Sequence, residues 1–281
     1  MILLSRENAS RQAVVRAGAC VLGSGMFGFL IKKAFFDFWD NLIRIVILNL
    51  GFILLLAILV YFPLLFKDSP PLFYAFLGLG LALLSVYTGV VSWMVAQIAD
   101  YRKPELSEAL NALKASWPTS LLFAGLNLLL VFLLSVAFPV YGRLKSFLGP
   151  LASSFLFWVL IFWVLAAQFY FPIQSRLDRR FPKMLKKSFL LFLDNPLFTF
   201  GLFLGSLLVF ALSVFTALLL PGIATILLWQ NTGLKLRLYK YDHLEKHPQD
   251  RRRIPWDALL VEDRERVGKR TLKGMIFPWK E

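Results

Sequence analysis

One cysteine and two histidines are all that 281 residues hold of the side chains that most often ligate zinc or act as tuned nucleophiles and bases. Cys20 alone excludes an internal disulfide. His243 and His247 stand four apart, a metal-ligand spacing on a helix, but Lys246 lies between them, Pro248 follows at once, and no cysteine or third histidine accompanies them. Also missing are a Gly-x-Ser-x-Gly turn, a phosphate-cradling glycine loop and any nucleophile with a plausible base. No catalytic, metal-binding or cofactor-binding residue can be named, and the expectation is a protein that is not an enzyme and needs no cofactor. Charge is scarce too, at 17% of residues.

What fills the chain instead is apolar: 58% hydrophobic residues and a mean hydropathy of +0.66, more greasy surface than one soluble core could hide. Charge-free runs extend over Ile45–Phe66, Leu72–Ala99, Thr119–Tyr141, Phe147–Ile173 and Asn195–Leu234. The first four each suffice for one membrane crossing, which takes roughly 20 residues. The last is 40 residues long, or about 60 Å as helix, twice the roughly 30 Å hydrocarbon thickness. Pro221 and Gly222 divide it, giving Pro196–Leu220 and a final pass from Pro221 to about Tyr239. Only 14 residues separate the start of that pass from Lys235, so Lys235, Arg237 and Lys240 must snorkel to the interface. The predicted fold is all-α: a polytopic membrane protein of six transmembrane helices, arranged as three helical hairpins with amphipathic interfacial helices.

Orientation follows from the basic residues. The N-terminal part to Arg44 and the second, fourth and last connecting segments hold 28 of the 31 Lys and Arg. The positive-inside bias then puts both termini in the cytoplasm. The net charge of +14 flanks membrane spans, so its expected partner is a bilayer with anionic headgroups at the cytoplasmic face, not nucleic acid. Residues 1–25 are small, polar and basic without periodicity, and read as a disordered arm or as a start assigned ahead of Met26. Residues 26–241 form the six-helix domain and 242–281 a basic cytoplasmic tail.

A unit recurs along the chain. At an offset of 78 residues Pro104 pairs with Pro182, Pro118 with Pro196 and Asn49 with Asn127. Each unit opens on a short amphipathic segment, enters a helix ending at proline (Pro63, Pro139, Pro221) and returns through a second helix. In the first, Lys33, Asp37 and Asp40 fall at i, i+4 and i+7, opposite Phe29, Phe35, Phe36 and Trp39. In the second, Leu106, Leu110, Leu113 and Trp117 make one stripe after Pro104. The third, Pro182–Asp194, sets Lys183, Lys186 and Lys187 against Leu185, Phe189 and Phe192. Such segments fit the headgroup plane, or else a cytosolic helix packed on the bundle; both readings put them on the cytoplasmic face.

Five amides lie within the apolar runs: Asn49, Gln97, Asn127, Gln168 and Gln230. A polar group in hydrocarbon needs a partner, so these should face the bundle interior. Two readings fit them: a polar lining for a solute path, or hydrogen bonds that join helices. In the third unit Gly205, with Gly201, stands where the others have asparagine, and small residues four apart let helices approach closely. The tail repeats an apolar-Pro-Trp-charged element, at Pro255-Trp256 and Pro278-Trp279. Tryptophan buries much area and proline lowers ordering entropy, so these are candidate partner-docking residues, unless they fold back on the protein's own face.

From Met26, the run Phe35-Phe36-Asp37-Phe38-Trp39-Asp40-Asn41-Leu42 leading into Ile47-Leu48-Asn49-Leu50 resembles the opening of the YesL-like family of bacterial integral membrane proteins. Phe171-Pro172-Ile173, before a basic loop and Leu185-Lys186-Lys187-Ser188, is similar to that family's middle. The resemblance implies a non-enzymatic accessory or assembly factor beside a transport system, with a membrane transporter or other membrane protein as partner. It transfers no catalytic or ligand residue. The alternative from the residues themselves is a small-solute channel or facilitator lined by the five amides.

Overall fold

The computed structural model describes residues 25–144, 146–252, 254–268 and 270, and among these every regular element is helical. The chain divides into two compact units, Asn41–Leu234 and the combination of Met1–Asp40 with Lys235–Glu281. The boundaries differ from those drawn at 25/26 and 241/242 on sequence, because the charged parts of the first and last helices belong to one body.

In the larger unit α2 (Leu42–Leu64) packs on α3 (Pro70–Ala99), α3 on α4 (Leu106–Gly142) and α6 (Tyr170–Arg176), and α4 on α5 (Leu148–Ala167) and α7 (Phe181–Asp194). α8 (Pro196–Val214) packs on α5 and α7. Proline sets several starts: Pro70, Pro182 and Pro196 occupy first-turn positions, where the missing N–H has no intrahelical partner to lose. α9 (Gly222–Lys246) is one continuous helix, in the larger unit as far as Leu234 and in the smaller from Lys235.

Five helices are long and apolar enough to cross a membrane: Leu42–Leu64, Pro70–Ala99, Ser107–Gly142, Leu148–Arg176 (α5 with α6) and Pro196–Val214. Their large side chains point outward, with Leu197, Ile43 and Tyr61 at 88, 75 and 70% exposure. A soluble protein does not spread apolar surface on this scale, so the chain is a multi-pass helical membrane protein. α9 is not one of the five. The division at Pro221 and Gly222 falls where expected, with α8 ending at Val214 and α9 starting at Gly222.

The second and third units of the sequence repeat fold differently. Asn195 breaks the chain between α7 and α8, whereas the matching stretch around Trp117 and Pro118 runs unbroken through the 37-residue α4. The short segment after Pro104 is therefore the first part of a long helix. Its Leu110, Leu113 and Trp117 are exposed, and Ala109, Ala112, Ser116 and Ser120 form the buried face.

The smaller unit contains α1 (25–40), the end of α9, a 3-10 turn at Pro248–Arg252, α10 (Trp256–Leu259) and α11 (Val261–Val267). Lys32 Nζ donates to Gly268 O at 3.0 Å, and the Arg264 and Arg270 guanidinium groups lie over the rings of Phe29 and Phe36.

Candidate functional site

The five intramembrane amides do not gather. Asn49, fully buried in α2, donates from Nδ2 to Leu219 O (2.9 Å) and Pro221 O (2.7 Å), and its Oδ1 accepts the Ala224 N–H at 2.9 Å. It thus holds the α8–α9 turn. Gly222 is required there: its φ is +77°, and a Cβ would stand 2.1 Å from the Asn49 amide nitrogen. Asn127 joins α4 to α5, since Oδ1 accepts Trp163 Nε1 at 3.0 Å while Nδ2 donates to Phe123 O at 2.7 Å. Gln168 donates to Leu165 O and, across to α8, to Thr199 O at 3.1 Å. Gln230 Nε2 donates to Ser206 Oγ at 3.4 Å, tying α9 to α8. Gln97 is half-buried in α3, where its backbone carbonyl accepts the Asp100 and Arg102 N–H groups. Gly205 does serve close approach, as a Cβ there would lie 2.6 Å from the Trp229 ring.

A groove of about 300 Å³ runs between α3, α4 and α6, lined mostly by Leu, Phe and Val. Of the five amides only Asn127 borders it, already bonded as above, and its other polar members are also occupied: Ser85 Oγ donates to Ser120 O and Thr88 Oγ1 to Leu84 O. The groove is apolar in chemistry as well as in composition.

Polar side chains do converge at a place sequence reading missed. On α6, Gln174 Nε2 lies within 3.1 Å of Ser116 O, Thr119 Oγ1 and Ser120 Oγ of α4. Tyr170 donates to Thr119 O at 2.7 Å, and Asn231 of α9 donates to Ser92 Oγ of α3 and accepts from Ser175 Oγ of α6. Gly89 makes the seam possible, because a Cβ there would stand 2.6 Å from Ser120 Oγ and 2.9 Å from Gln174 Oε1. Gln174 Oε1 and Ser116 Oγ are buried without a protein partner. The available signal was a hydroxyl-rich stretch, Ser116 to Ser120, opposite a glycine.

The smaller unit carries the buried charges. Lys33 Nζ lies 2.8 Å from Asp37 Oδ2 and 3.9 Å from Asp263 Oδ1, which in turn is 3.1 Å from Lys235 Nζ. All four side chains are buried. Lys33 and Asp37 are therefore not the exposed face of an amphipathic helix, and Lys235 does not snorkel; each finds an opposite charge instead. Asp40, the third of that set, is exposed and pairs with Arg270 at 3.0 Å. Burial outweighs the neighbouring charges, pushing Asp37 up to about 6 and lowering Lys33 below the usual ammonium range.

Of the docking candidates, Trp256 starts α10 and is buried, with the Arg237 guanidinium 5.8 Å from its ring centre. Pro255 is exposed beside it. Pro278 and Trp279 lie outside the described residues. His243 Nε2 is 3.0 Å from Asp250 Oδ2, and the His243 and His247 rings are 4.9 Å apart; among the described residues no three His, Cys, Asp or Glu side chains group to hold a metal. The chain matches no known protein family, no curated protein and no solved structure.

Proposed function

We propose that this protein is a non-enzymatic membrane factor of the bacterial cytoplasmic membrane, assembling with or assisting a transport system and presenting a basic, folded cytoplasmic unit as its contact surface. The observation that carries the reading is where the amides go. Asn49, Asn127, Gln168 and Gln230 are each used at a different helix contact, three different pairs of helices and one turn, which is how polar groups act as joints and not as the wall of a path. In topology the chain forms three helical hairpins inserted from the cytoplasmic face, α2 with α3, α4 with α5, and α8 with α9. Both termini lie on that face. Its basic residues meet anionic headgroups there, at about 1 kcal/mol for each Lys or Arg close to the surface. α7 lies at that surface, burying Met184, Ser188, Leu191 and Phe192 on one side and keeping Lys183 and Lys186 exposed.

Crosslinking in native membranes, followed by identification of the trapped partners, tests the reading. The expected result is a recurrent membrane protein, a transporter subunit foremost, captured through residues of α10 or α11. Capture of lipid and self alone, together with solute uptake by proteoliposomes that is abolished by Gln97→Leu or Gln168→Leu, would overturn it in favour of a channel.

A further inference from the structure

We infer that the α8–α9 hairpin is re-entrant: its turn, residues 215–221, stops inside the hydrocarbon and meets lipid acyl chains instead of outer water. The inference rests on the orientation proposed above, and it replaces a full sixth crossing.

Register comes first. Asn49, whose amide bonds the turn at Leu219, Pro221 and Ala224, is only five residues beyond Arg44, or about 8 Å into the membrane from the last basic residue of the cytoplasmic end. From Asn49, α2 continues for 15 more residues to Leu64, about 22 Å farther out. α3 leaves a similar length on the outer side. The Tyr87 hydroxyl donates to Leu48 O at 2.9 Å, so Tyr87 stands level with Asn49, and α3 extends 17 residues beyond it to Pro70, about 25 Å. The turn thus meets its neighbours in the inner half of a bilayer whose core is roughly 30 Å thick. The α9 arm is short: from Gly222 to Leu234, the part before Lys235, there are 13 residues, about 20 Å of helix, and α8, with 19 residues or about 28 Å, must run tilted to end at the same depth.

Chemistry comes second. Irregular backbone survives at membrane depth only when its polar groups are satisfied inside the protein. Here the N–H groups of Thr216 and Leu218 donate to Ser213 O, Ala217 to Val214 O, Leu219 to Thr216 O and Leu220 to Thr216 Oγ1. Pro221 has none to offer, and Gly222 N–H donates to Ser213 Oγ at 2.8 Å. The carbonyls of Leu219, Leu220 and Pro221 accept from the Asn49, Thr216 and Thr225 side chains, and that of Thr216 from the Leu219 N–H. No charged residue lies between Asp194 and Lys235, while the α2–α3 loop carries Lys67 and Asp68 and the α4–α5 loop Arg143. The two charged loops belong in outer water. The uncharged one presents exposed Phe215, next to Leu212 and Val214 of the last turn of α8, side chains that suit acyl chains.

Single cysteines in a Cys20→Ser background test this in cells and inverted vesicles, with a membrane-impermeant maleimide. Asp68→Cys should be modified from outside. Phe215→Cys, and Val214→Cys as a second position against misfolding of the first, should escape modification from either side and react only after the membrane is dissolved in detergent. A nitroxide at residue 215 should be relaxed by oxygen more than by a water-soluble nickel chelate. Modification of Phe215→Cys from outside at the rate of Asp68→Cys would establish a full crossing, and preferential relaxation by nickel a wet vestibule; either overturns the inference while leaving the orientation intact. Asp68→Cys modified only in inverted vesicles would overturn the orientation itself, and the inference with it.

Discussion

The two units of this molecule treat buried polarity in opposite ways. Within Asn41–Leu234 the apolar helices bury neutral amides and hydroxyls, most of them bonded to a nearby backbone or a facing helix, as Asn127 is to Phe123 and Trp163. In the smaller unit four full charges, Lys33, Asp37, Lys235 and Asp263, share one buried cluster. The difference reflects the unfolded alternative. A segment confined to lipid cannot gain by releasing a charge, so none is placed there, and a neutral hydrogen bond contributes little because its unfolded reference also finds partners in the membrane. The smaller unit buries its charges as a set, because one ion left alone would lose its hydration with nothing in return.

Asp263→Ala should break the comparison most sharply. It removes the buried carboxylate that Lys33 and Lys235 share, and the expected loss is about 3–5 kcal/mol, seen as unfolding of the smaller unit at lower temperature. The cluster should also respond to acid in an unusual direction. Asp37 is raised to about 6 by burial, so the folded protein holds that proton more tightly than the unfolded chain, whose carboxyl stays near 3.8. Stability then rises as pH falls through 6 and the gain is complete near 3.8, up to about 3 kcal/mol at roughly 1.4 kcal/mol per pH unit. Melting curves of wild type against Asp37→Asn across this window should show the slope only in wild type.

In the membrane unit the same kind of deletion should matter less. Asn49→Leu removes three hydrogen bonds from the α8–α9 turn and should cost about 1–3 kcal/mol, measured by steric-trap or denaturant unfolding in bicelles. Trp163→Phe, which removes only the bond to Asn127, should cost about 0.6 kcal/mol. Smallest of all, Arg266→Ala breaks an exposed i, i+4 pair with Glu262 and should stay within about 0.5 kcal/mol.

Much of the membrane unit is written in its sequence. Charge-free length marked five of the six expected passes, Pro221-Gly222 marked the end of the α8–α9 turn, and a lone asparagine in Leu-Asn-Leu marked a buried polar group. Its partner was not legible, because Leu219, Pro221 and Ala224 lie 170 to 175 positions away and contribute backbone atoms that every residue possesses. Lys33 and Asp37 failed as surface residues for a related reason. Helical periodicity places them on one face but carries no information on what covers that face, and Asp263 and Lys235 arrive from the far end of the chain. Trp256 illustrates the same limit: its tail composition left both docking on a partner and folding back on the protein open, and it is buried beneath Arg237 of α9. Gln174 and Asn231 were passed over since they stand at the edges of apolar runs, beside Arg176 and before Lys235, where an amide needs no special account.

Everything above depends on lipid surrounding one unit and cytosol the other. Paired reporters fused after Glu281 test this most directly, one a fluorescent protein that matures only inside the cell and the other a phosphatase active only outside it. A bright, phosphatase-negative pair is the result expected; a dark fluorescent fusion beside an active phosphatase would contradict the account.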